Sequence, residues 1–208
     1  MTRPVRRLCV AVLTAAVLTA GCGHADRDTG ADVRHRAAGT PAAGATARAD
    51  GDHPAPSPLG RSVPTRLKIG AIGVDTPVLG LGLAADGTVQ VPPIEAHDQA
   101  GWYRDSPTPG QVGPAVILGH VTVGSFGDGV FRRLGELRHG DRVEVRRKNG
   151  TSAAFAVTSV RTVAKADFPS DDVYGDVDRP ELRLITCGGP RSGDGYRDNV
   201  IVFATLSG

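Results

Sequence analysis

Glu181-Leu-Arg-Leu-Ile-Thr-Cys187-Gly188-Gly189 is an apolar run that ends in a cysteine and two glycines. Its aliphatic and β-branched residues predict a strand, and the glycines predict a loop that exposes Cys187 at the strand end. Cys187 is the only cysteine after residue 22, so the body of the chain offers it no disulfide partner. A free cysteine is either a small buried core residue or a nucleophile, and its surroundings distinguish the two.

The residues on both sides of this run predict an all-β domain. No segment after Ser62 has a sustained helical period, whereas short β-rich runs recur between glycines and prolines. Asn149-Gly150 separates two of these runs and predicts a hairpin turn. Short helices are expected only near Phe131–Gly140 and Pro169–Tyr174. Many short strands with regular turns predict a closed or nearly closed β-barrel. The predicted strands are Arg66–Ile69, Thr88–Val91, Ala115–Val121, Arg142–Arg147, Ala153–Ala164, Glu181–Thr186 and Asn199–Leu206.

The chain divides into an export segment, a tether and one domain of ordinary size. Residues 1–22 have a basic start and an apolar run too short to span a membrane, and they end in Ala20-Gly21-Cys22. They resemble a bacterial lipoprotein signal, in which Cys22 is acylated, and an uncleaved membrane anchor is the alternative. Residues 23–62 are rich in Ala, Gly, Pro and charged residues and are predicted to be a disordered tether. Residues 63–208 form the predicted folded domain.

The charges exclude two classes of function. The net charge is only +2, and the basic residues are scattered apart from Arg146-Arg-Lys148, so no nucleic-acid partner is expected. The acidic residues Glu136, Asp141 and Glu144 are too scattered to predict a metal site. No cofactor and no metal are expected.

The chain offers a candidate for each group that thiol attack on an amide requires. These are a nucleophile, a proton donor for the leaving amine, and a positive charge for the oxyanion. Cys187 is the candidate nucleophile, and His120 follows the apolar run Val116-Ile-Leu-Gly119. Arg197 stands ten residues after Cys187, at the start of the last predicted strand. All three are therefore expected at strand ends, next to small residues.

Other histidines and a structural explanation compete with these assignments. His97, in a loop, is a rival to His120, whereas His139, in a predicted turn, is expected to be solvated. His120 itself could be a hydrogen-bonded structural residue. Arg197 could instead pair with a neighbouring aspartate at the surface.

At this point the chain resembles a known family, the sortases, which are cysteine transpeptidases of bacterial cell surfaces. Arg183-Leu-Ile-Thr-Cys187 is similar to their Thr-Leu-x-Thr-Cys strand, with Arg183 in place of the first threonine. Gly101-Trp-Tyr103, Pro114–His120 and Leu184–Gly189 resemble most the class F sortases of actinobacteria. The resemblance covers about residues 63–208.

The resemblance implies an eight-stranded sortase-type β-barrel with short helices and long loops. It implies that Cys187 attacks the threonine carbonyl of a Leu-Pro-x-Thr-Gly-like sorting signal and forms a thioester. His120 would be the general acid and base, and Arg197 would stabilise substrate and oxyanion. Thr186 would contact substrate or only shape the strand. The expected partners are surface proteins with C-terminal sorting signals and an amine of a peptidoglycan precursor or a pilin. The enzyme would stand on the extracytoplasmic face of the membrane, held by its N-terminal anchor.

Two alternatives make different predictions. An L,D-transpeptidase is also a mostly β cysteine enzyme, but its histidine usually lies close before the cysteine, in a Ser/Gly-rich motif that this chain lacks. A non-catalytic surface lipoprotein would have an unreactive Cys187.

Overall fold

The computed structural model describes residues 56–193 and 195–207, and this part of the chain is built almost entirely from strands. Its one α-helix is short, and the other helical pieces are single 3₁₀ turns. The strands are β1 (Pro64–Ile69), β2 (Val74–Leu81), β3 (Ala100–Tyr103), β4 (Gly113–Leu118), β5 (Thr122–Val123), β6 (Gly127–Asp128), β7 (Arg142–Arg147), β8 (Ser152–Ala164), β9 (Pro180–Ser192) and β10 (Gly195–Leu206). The helix is α1 (Ser170–Tyr174), and the 3₁₀ turns are Gly70–Ile72, Ile94–Ala96, Gly124–Phe126, Leu134–Glu136 and Lys165–Asp167.

Eight of the strands close into a barrel in the order β1-β2-β3-β4-β9-β10-β8-β7, and β7 pairs back onto β1. The predicted eight-stranded barrel is thereby confirmed. Two neighbouring pairs, β2 with β3 and β4 with β9, are parallel, and the others are antiparallel. The remaining strands, β5 and β6, form a separate two-stranded sheet.

The burial of each strand follows from its sequence pattern. In β7 the exposed and buried residues alternate, so that Val143 and Val145 enter the core while their neighbours face outward. In β4 every residue is buried, as expected for a run that is apolar throughout. The turn predicted at Asn149-Gly150 joins β7 to β8, and Gly150 adopts a φ of 85° there.

A second apolar cluster covers the outer face of the barrel. Val116 of β4 and Ile185 of β9 pack with Phe203 of β10, and α1 adds Val173 to this cluster. The strand β4 and the part of β9 that precedes Cys187 are therefore buried on both faces. This double burial holds the segments that lead to His120 and Cys187 in fixed relative positions.

Arg183 is buried in this outer cluster and is only 3% exposed. Its guanidinium pairs with Glu181 at 2.6 Å, donates to the Asp172 carbonyl at 3.1 Å, and lies 4.6 Å from the centre of the Phe203 ring. The residue that departs from the family motif thus ties α1 to the wall of the barrel. Its charge is neutralised by Glu181, and the residue has a structural role in this wall.

Glu181→Gln is expected to lower the free energy of unfolding by about 3 kcal/mol, because it leaves a buried arginine without its counter-charge. Thermal or chemical unfolding measures the change. Asp75→Asn is the matched control, since Asp75 pairs with Arg66 at the surface and both side chains are more than 40% exposed. Equal, small effects of both substitutions would contradict a structural role for the buried pair.

Some of the predicted strands differ from those in the structure. Thr88–Val91 is not a strand; only an isolated bridge joins Leu83 to Val89, because the following Pro92-Pro93 cannot donate to a ladder. The strand β2 was missed because Pro77 and Gly80 interrupt its apolar pattern. Cys187 does not end its strand, since β9 continues to Ser192.

The residues just before Val63 contact the barrel. The Leu59 amide donates to Gly110, the Ser62 amide donates to Thr108, and Arg147 donates to the Gly60 carbonyl at 2.8 Å. The last residues of the predicted tether therefore lie against the barrel. The predicted export segment, Cys22 and the predicted tether up to residue 55 lie outside the described residues. Within the described ranges, no helix has the length and apolar character needed to cross a membrane.

Candidate active site

Cys187 lies on β9, half-buried, and pairs with Asn199 of β10. It is the one free cysteine among the described residues. The thiol lines a cavity of about 370 Å³ between the β9–β10 hairpin and the segment that follows β4. The cavity is lined by Val121, Phe131, Arg132, Arg133, Gly135, Glu136, Thr186, Cys187, Gly188, Gly189, Tyr196 and Val200. A cysteine beside a cavity can meet a substrate, as a cysteine enclosed in the core could not.

His120 follows the end of β4, the strand beside β9. Leu118 pairs with Ile185 in the parallel ladder, and the Gly119 amide still donates to the Ile185 carbonyl at 3.1 Å. The two strands therefore run side by side as far as Gly119 and Ile185. His120 is the next residue after Gly119, and Cys187 comes shortly after Ile185. Neighbouring strands lie about 4.8 Å apart, so the parallel register brings these two predicted residues into one region of the barrel end.

The position of His120 is fixed from two directions. Its carbonyl accepts a hydrogen bond from the Phe131 amide at 2.8 Å, and its Nε2 lies 2.7 Å from the Pro92 carbonyl. Gly119, the residue before His120, is closely packed. A Cβ at Gly119 would lie 2.6 Å from the Phe131 ring.

Gly129 presses directly on the His120 backbone. A Cβ built at Gly129 would collide with the His120 carbonyl oxygen and lie 2.7 Å from its Cβ. The φ of Gly129 is outside the left-handed region, so space, not backbone conformation, requires glycine here. The close packing of Gly129, which follows β6, thus helps to fix the position of the His120 backbone at the end of the barrel.

Gly129→Ala is expected to lower kcat about 10- to 100-fold, because a displacement of about 1 Å in a catalytic group has an effect of this size. Peptide cleavage assays with the variant measure it. Gly70→Ala is the control, since nothing lies within 4 Å of the position its Cβ would occupy. A Gly129→Ala enzyme with normal kcat and normal melting temperature would contradict this packing role.

Arg197 lies on β10, near the start of the strand that pairs with β9. In a regular antiparallel pair it would share a face with Cys187, because Asn199 is opposite Cys187 and side chains alternate. The ladder shifts register between Tyr196 and Asp198, however. Gly189 stands in the opposing strand at this bulge with a φ of 71°, and a β-bulge re-aims the side chains around it.

The side chain of Arg197 consequently lines a neighbouring depression and not the Cys187 cavity. It is exposed, and its depression is formed with Ala164–Ala166, Pro190 and Asp198. The surface pair with Asp198 that the sequence allowed does not form. Arg197 and Cys187 thus lie on the two paired strands of one hairpin, but the bulge between them directs the Arg197 guanidinium to the next depression.

Thr186 lines the same cavity as Cys187. It pairs with Val200 and is 4% exposed. Among the described residues its Oγ1 has no hydrogen-bond partner. A buried hydroxyl without a partner is costly, so Thr186, the residue before Cys187, has an unused donor and acceptor.

Four cavity residues had no signal in the sequence. Arg133 bonds Glu136 at 2.7 Å and holds the pKa of this carboxyl below its usual range. Glu136 therefore remains ionised near neutral pH and is a poor candidate for the proton donor. The Tyr196 hydroxyl lies 2.7 Å from Thr122 and closes another side of the cavity. Arg132, Arg133 and Glu136 come from the connecting segment between β6 and β7, which has no motif, and Tyr196 lies at the start of β10. Only the folded chain brings these four residues to the cavity of Cys187.

The rival histidines lie elsewhere. His97 packs against Phe126 with 5.4 Å between ring centres, and its Nδ1 is buried without a partner among the described residues. His139 is exposed in the turn before β7. Neither lines the Cys187 cavity, and His120 itself is not among the lining residues. The position of His120 directly after β4, the strand beside β9, distinguishes it from the other two histidines. In the described part of the chain, no group of three or more His, Cys, Asp or Glu side chains could hold a metal ion.

Comparisons with solved structures give the same fold. The Clostridium perfringens sortase D5 transpeptidase is 23% identical, with a TM-score of 0.53 over 70% of this chain and 79% of that chain. Sortase C-1 from Actinomyces oris is 20% identical, with a TM-score of 0.53 over 69% and 73%. Sortase A from Corynebacterium diphtheriae is 19% identical, with a TM-score of 0.52 over 72% and 62%. These likenesses establish the fold of the chain.

The family follows from the sequence comparison. No match is found among curated proteins. The family model of the sortase domain matches residues 67–207, which include Cys187, His120 and Arg197. The match covers nearly the whole described barrel and implies a cysteine transpeptidase. The chain belongs to the sortase family.

Proposed function

We propose that Cys187 is the nucleophile of a transpeptidase that cleaves a Leu-Pro-x-Thr-Gly-like sorting signal and transfers the protein to an amine. The observation that carries this proposal is the thiol of Cys187 at a cavity on β9, with His120 after the end of the adjacent strand β4. The family assignment favours this function over an L,D-transpeptidase and over a non-catalytic lipoprotein.

In the proposed first half-reaction, the Cys187 thiolate attacks the carbonyl carbon of the substrate threonine. The bond to the following glycine nitrogen breaks, and protonated His120 gives its proton to that leaving amine. The product is a thioester on Cys187. In the second half-reaction an incoming amine attacks the thioester, His120 accepts the amine proton, and the thiolate leaves.

Thr186 and Arg197 are the proposed substrate contacts. The unpartnered Thr186 Oγ1 next to Cys187 supports a hydrogen bond to bound substrate. Arg197 is exposed on the same hairpin as Cys187, and its guanidinium lines the neighbouring depression. In the proposed reaction it turns toward the thiol, where it donates two parallel hydrogen bonds to substrate oxygens and stabilises the oxyanion.

Arg197→Lys is expected to lower kcat/KM about 100-fold, because lysine keeps the charge but lacks the planar donor fork. Steady-state cleavage of a quenched peptide measures the loss. Arg138→Lys, in an exposed position before β7, is the control for the same change of side chain. Near-normal turnover by Arg197→Lys would show that the fork has no part in the reaction.

The class, location and acceptor belong to the same proposal. The chain resembles class F sortases most, and an N-terminal anchor or acylated Cys22 would hold it at the extracytoplasmic face of the membrane. Its partners would be surface proteins with C-terminal sorting signals and an amine of a peptidoglycan precursor or a pilin.

The substrate class is tested with a panel of peptides. Leu-Pro-x-Thr-Gly peptides, the same peptides with a scrambled motif, and tetrapeptide stems of peptidoglycan are offered to the enzyme with and without an amine acceptor. We expect transfer only from the intact sorting motif, with the acceptor attached to threonine. Cleavage of the tetrapeptide stems without cleavage of the sorting peptide would support the L,D-transpeptidase instead.

A further inference from the structure

We infer that the loop between β2 and β3 positions the imidazole of His120 through the Pro92 carbonyl, so that Nδ1 is the nitrogen that gives and takes the proton during the reaction. This inference rests on the proposed function of His120 as general acid and base. Its starting point is the distance of 2.7 Å between His120 Nε2 and the Pro92 carbonyl oxygen. A carbonyl oxygen can only accept, so Nε2 must be the donor.

The bond leaves one ring nitrogen for chemistry. In the neutral ring, a hydrogen on Nε2 means that Nδ1 has the lone pair, and in the protonated ring both nitrogens are donors. The Nε2–H bond to Pro92 can therefore persist through both half-reactions. Nδ1 then gives its proton to the leaving glycine amine and takes a proton from the incoming amine.

The two prolines explain why the Pro92 carbonyl stays in place. A residue before proline is restricted to extended conformations, so Pro93 limits the ψ of Pro92 and with it the direction of the carbonyl. Pro93 itself is extended, with φ −54° and ψ 150°. Pro92 is buried, and the rings of Pro92 and Pro93 fix the φ angles on the two sides of the acceptor carbonyl.

The same loop is held to the barrel by a glutamine. Gln90 accepts from the Gly82 amide through its side chain at 2.9 Å and donates to the Gly82 carbonyl through its amide at 3.0 Å. Gly82 directly follows β2, so this pair of bonds connects the approach to Pro92 with the end of a barrel strand. The loop is thus bonded to the end of β2 through Gln90 and contacts His120 through the Pro92 carbonyl.

Nitrogen-15 NMR of histidine-labelled protein tests the tautomer directly. The His120 signals are assigned by their loss in His120→Gln. We expect neutral His120 with the hydrogen on Nε2 and an unprotonated Nδ1. A neutral His120 with its hydrogen on Nδ1 would overturn the inference. This measurement needs no substrate, so its result is independent of the proposed function. The proposed function is tested separately, and normal turnover by His120→Gln would contradict it.

The double variant Pro92→Ala/Pro93→Ala tests the role of the loop. It releases both backbone restrictions, and we expect a mixture of tautomers at His120, a kcat about tenfold lower, and a KM within about twofold of the original. Pro77→Ala, at an exposed proline of β2, is the control and should change neither value. Unchanged tautomer and unchanged kcat in the double variant would overturn the positioning role.

Discussion

Replacing Cys187 with alanine is expected to lower turnover of a Leu-Pro-x-Thr-Gly peptide by at least about 10³-fold, because the covalent route is lost entirely. Intact mass spectrometry of the original enzyme should show an added mass equal to the Leu-Pro-x-Thr fragment. The adduct should be absent from Cys187→Ala.

Two controls separate this result from general damage. Cys187→Ala changes one half-buried side chain by a single sulfur, so its melting temperature should stay close to the original. Iodoacetamide should label Cys187 in the original protein. Labelling of Cys187→Ala gives the background that comes from the N-terminal cysteines. Turnover that survives in Cys187→Ala would exclude Cys187 as the nucleophile.

His120→Gln is expected to lower kcat about 10²- to 10⁴-fold, the range that general acid–base catalysis contributes. Glutamine can still donate a hydrogen bond, but it cannot carry a proton to the leaving amine. The rate of the original enzyme should fall on both sides of a pH optimum, since the Cys–His pair must hold one proton between them. Stopped assays across pH measure both effects.

His139→Gln is the matched control for that variant. His139 is exposed in the turn before β7, outside the residues that line the Cys187 cavity, so its loss should leave kcat and the pH profile unchanged. If both variants retain full activity, another group provides the proton. His97 would then be the next histidine to test, because its Nδ1 is buried without a partner among the described residues.

The barrel and its core could be predicted from local patterns. Burial on both faces of β4 follows from its unbroken apolar run, and the hairpin between β7 and β8 follows from Asn149-Gly150. The strand β2 could not be predicted in the same way, because Pro77 and Gly80 disguise it and only its pairing with β1 and β3 stabilises it. Short-range signals fail where long-range pairing supplies the stability.

For the site, residue identity was sufficient to nominate Cys187, His120, Arg197 and Thr186, because few side chains can perform thiol chemistry on an amide. Their arrangement required the tertiary structure. The parallel register of β4 and β9 brings the segments that lead to His120 and Cys187 together, although Cys187 comes 67 positions after His120 in the sequence (187 − 120).

The direction of each side chain was likewise outside the reach of sequence patterns. The bulge opposite Arg197 turns it to a different depression, and the carbonyl that holds His120 belongs to a loop 28 residues earlier. Sequence by itself therefore determined the strands that are apolar throughout, the family and the reactive residue types, since these depend on local composition and spacing. Tertiary structure alone decided the neighbours of Cys187, the contact of Arg183 with α1 and the ring nitrogen of His120 that is left free, because these depend on how distant segments pack against one another.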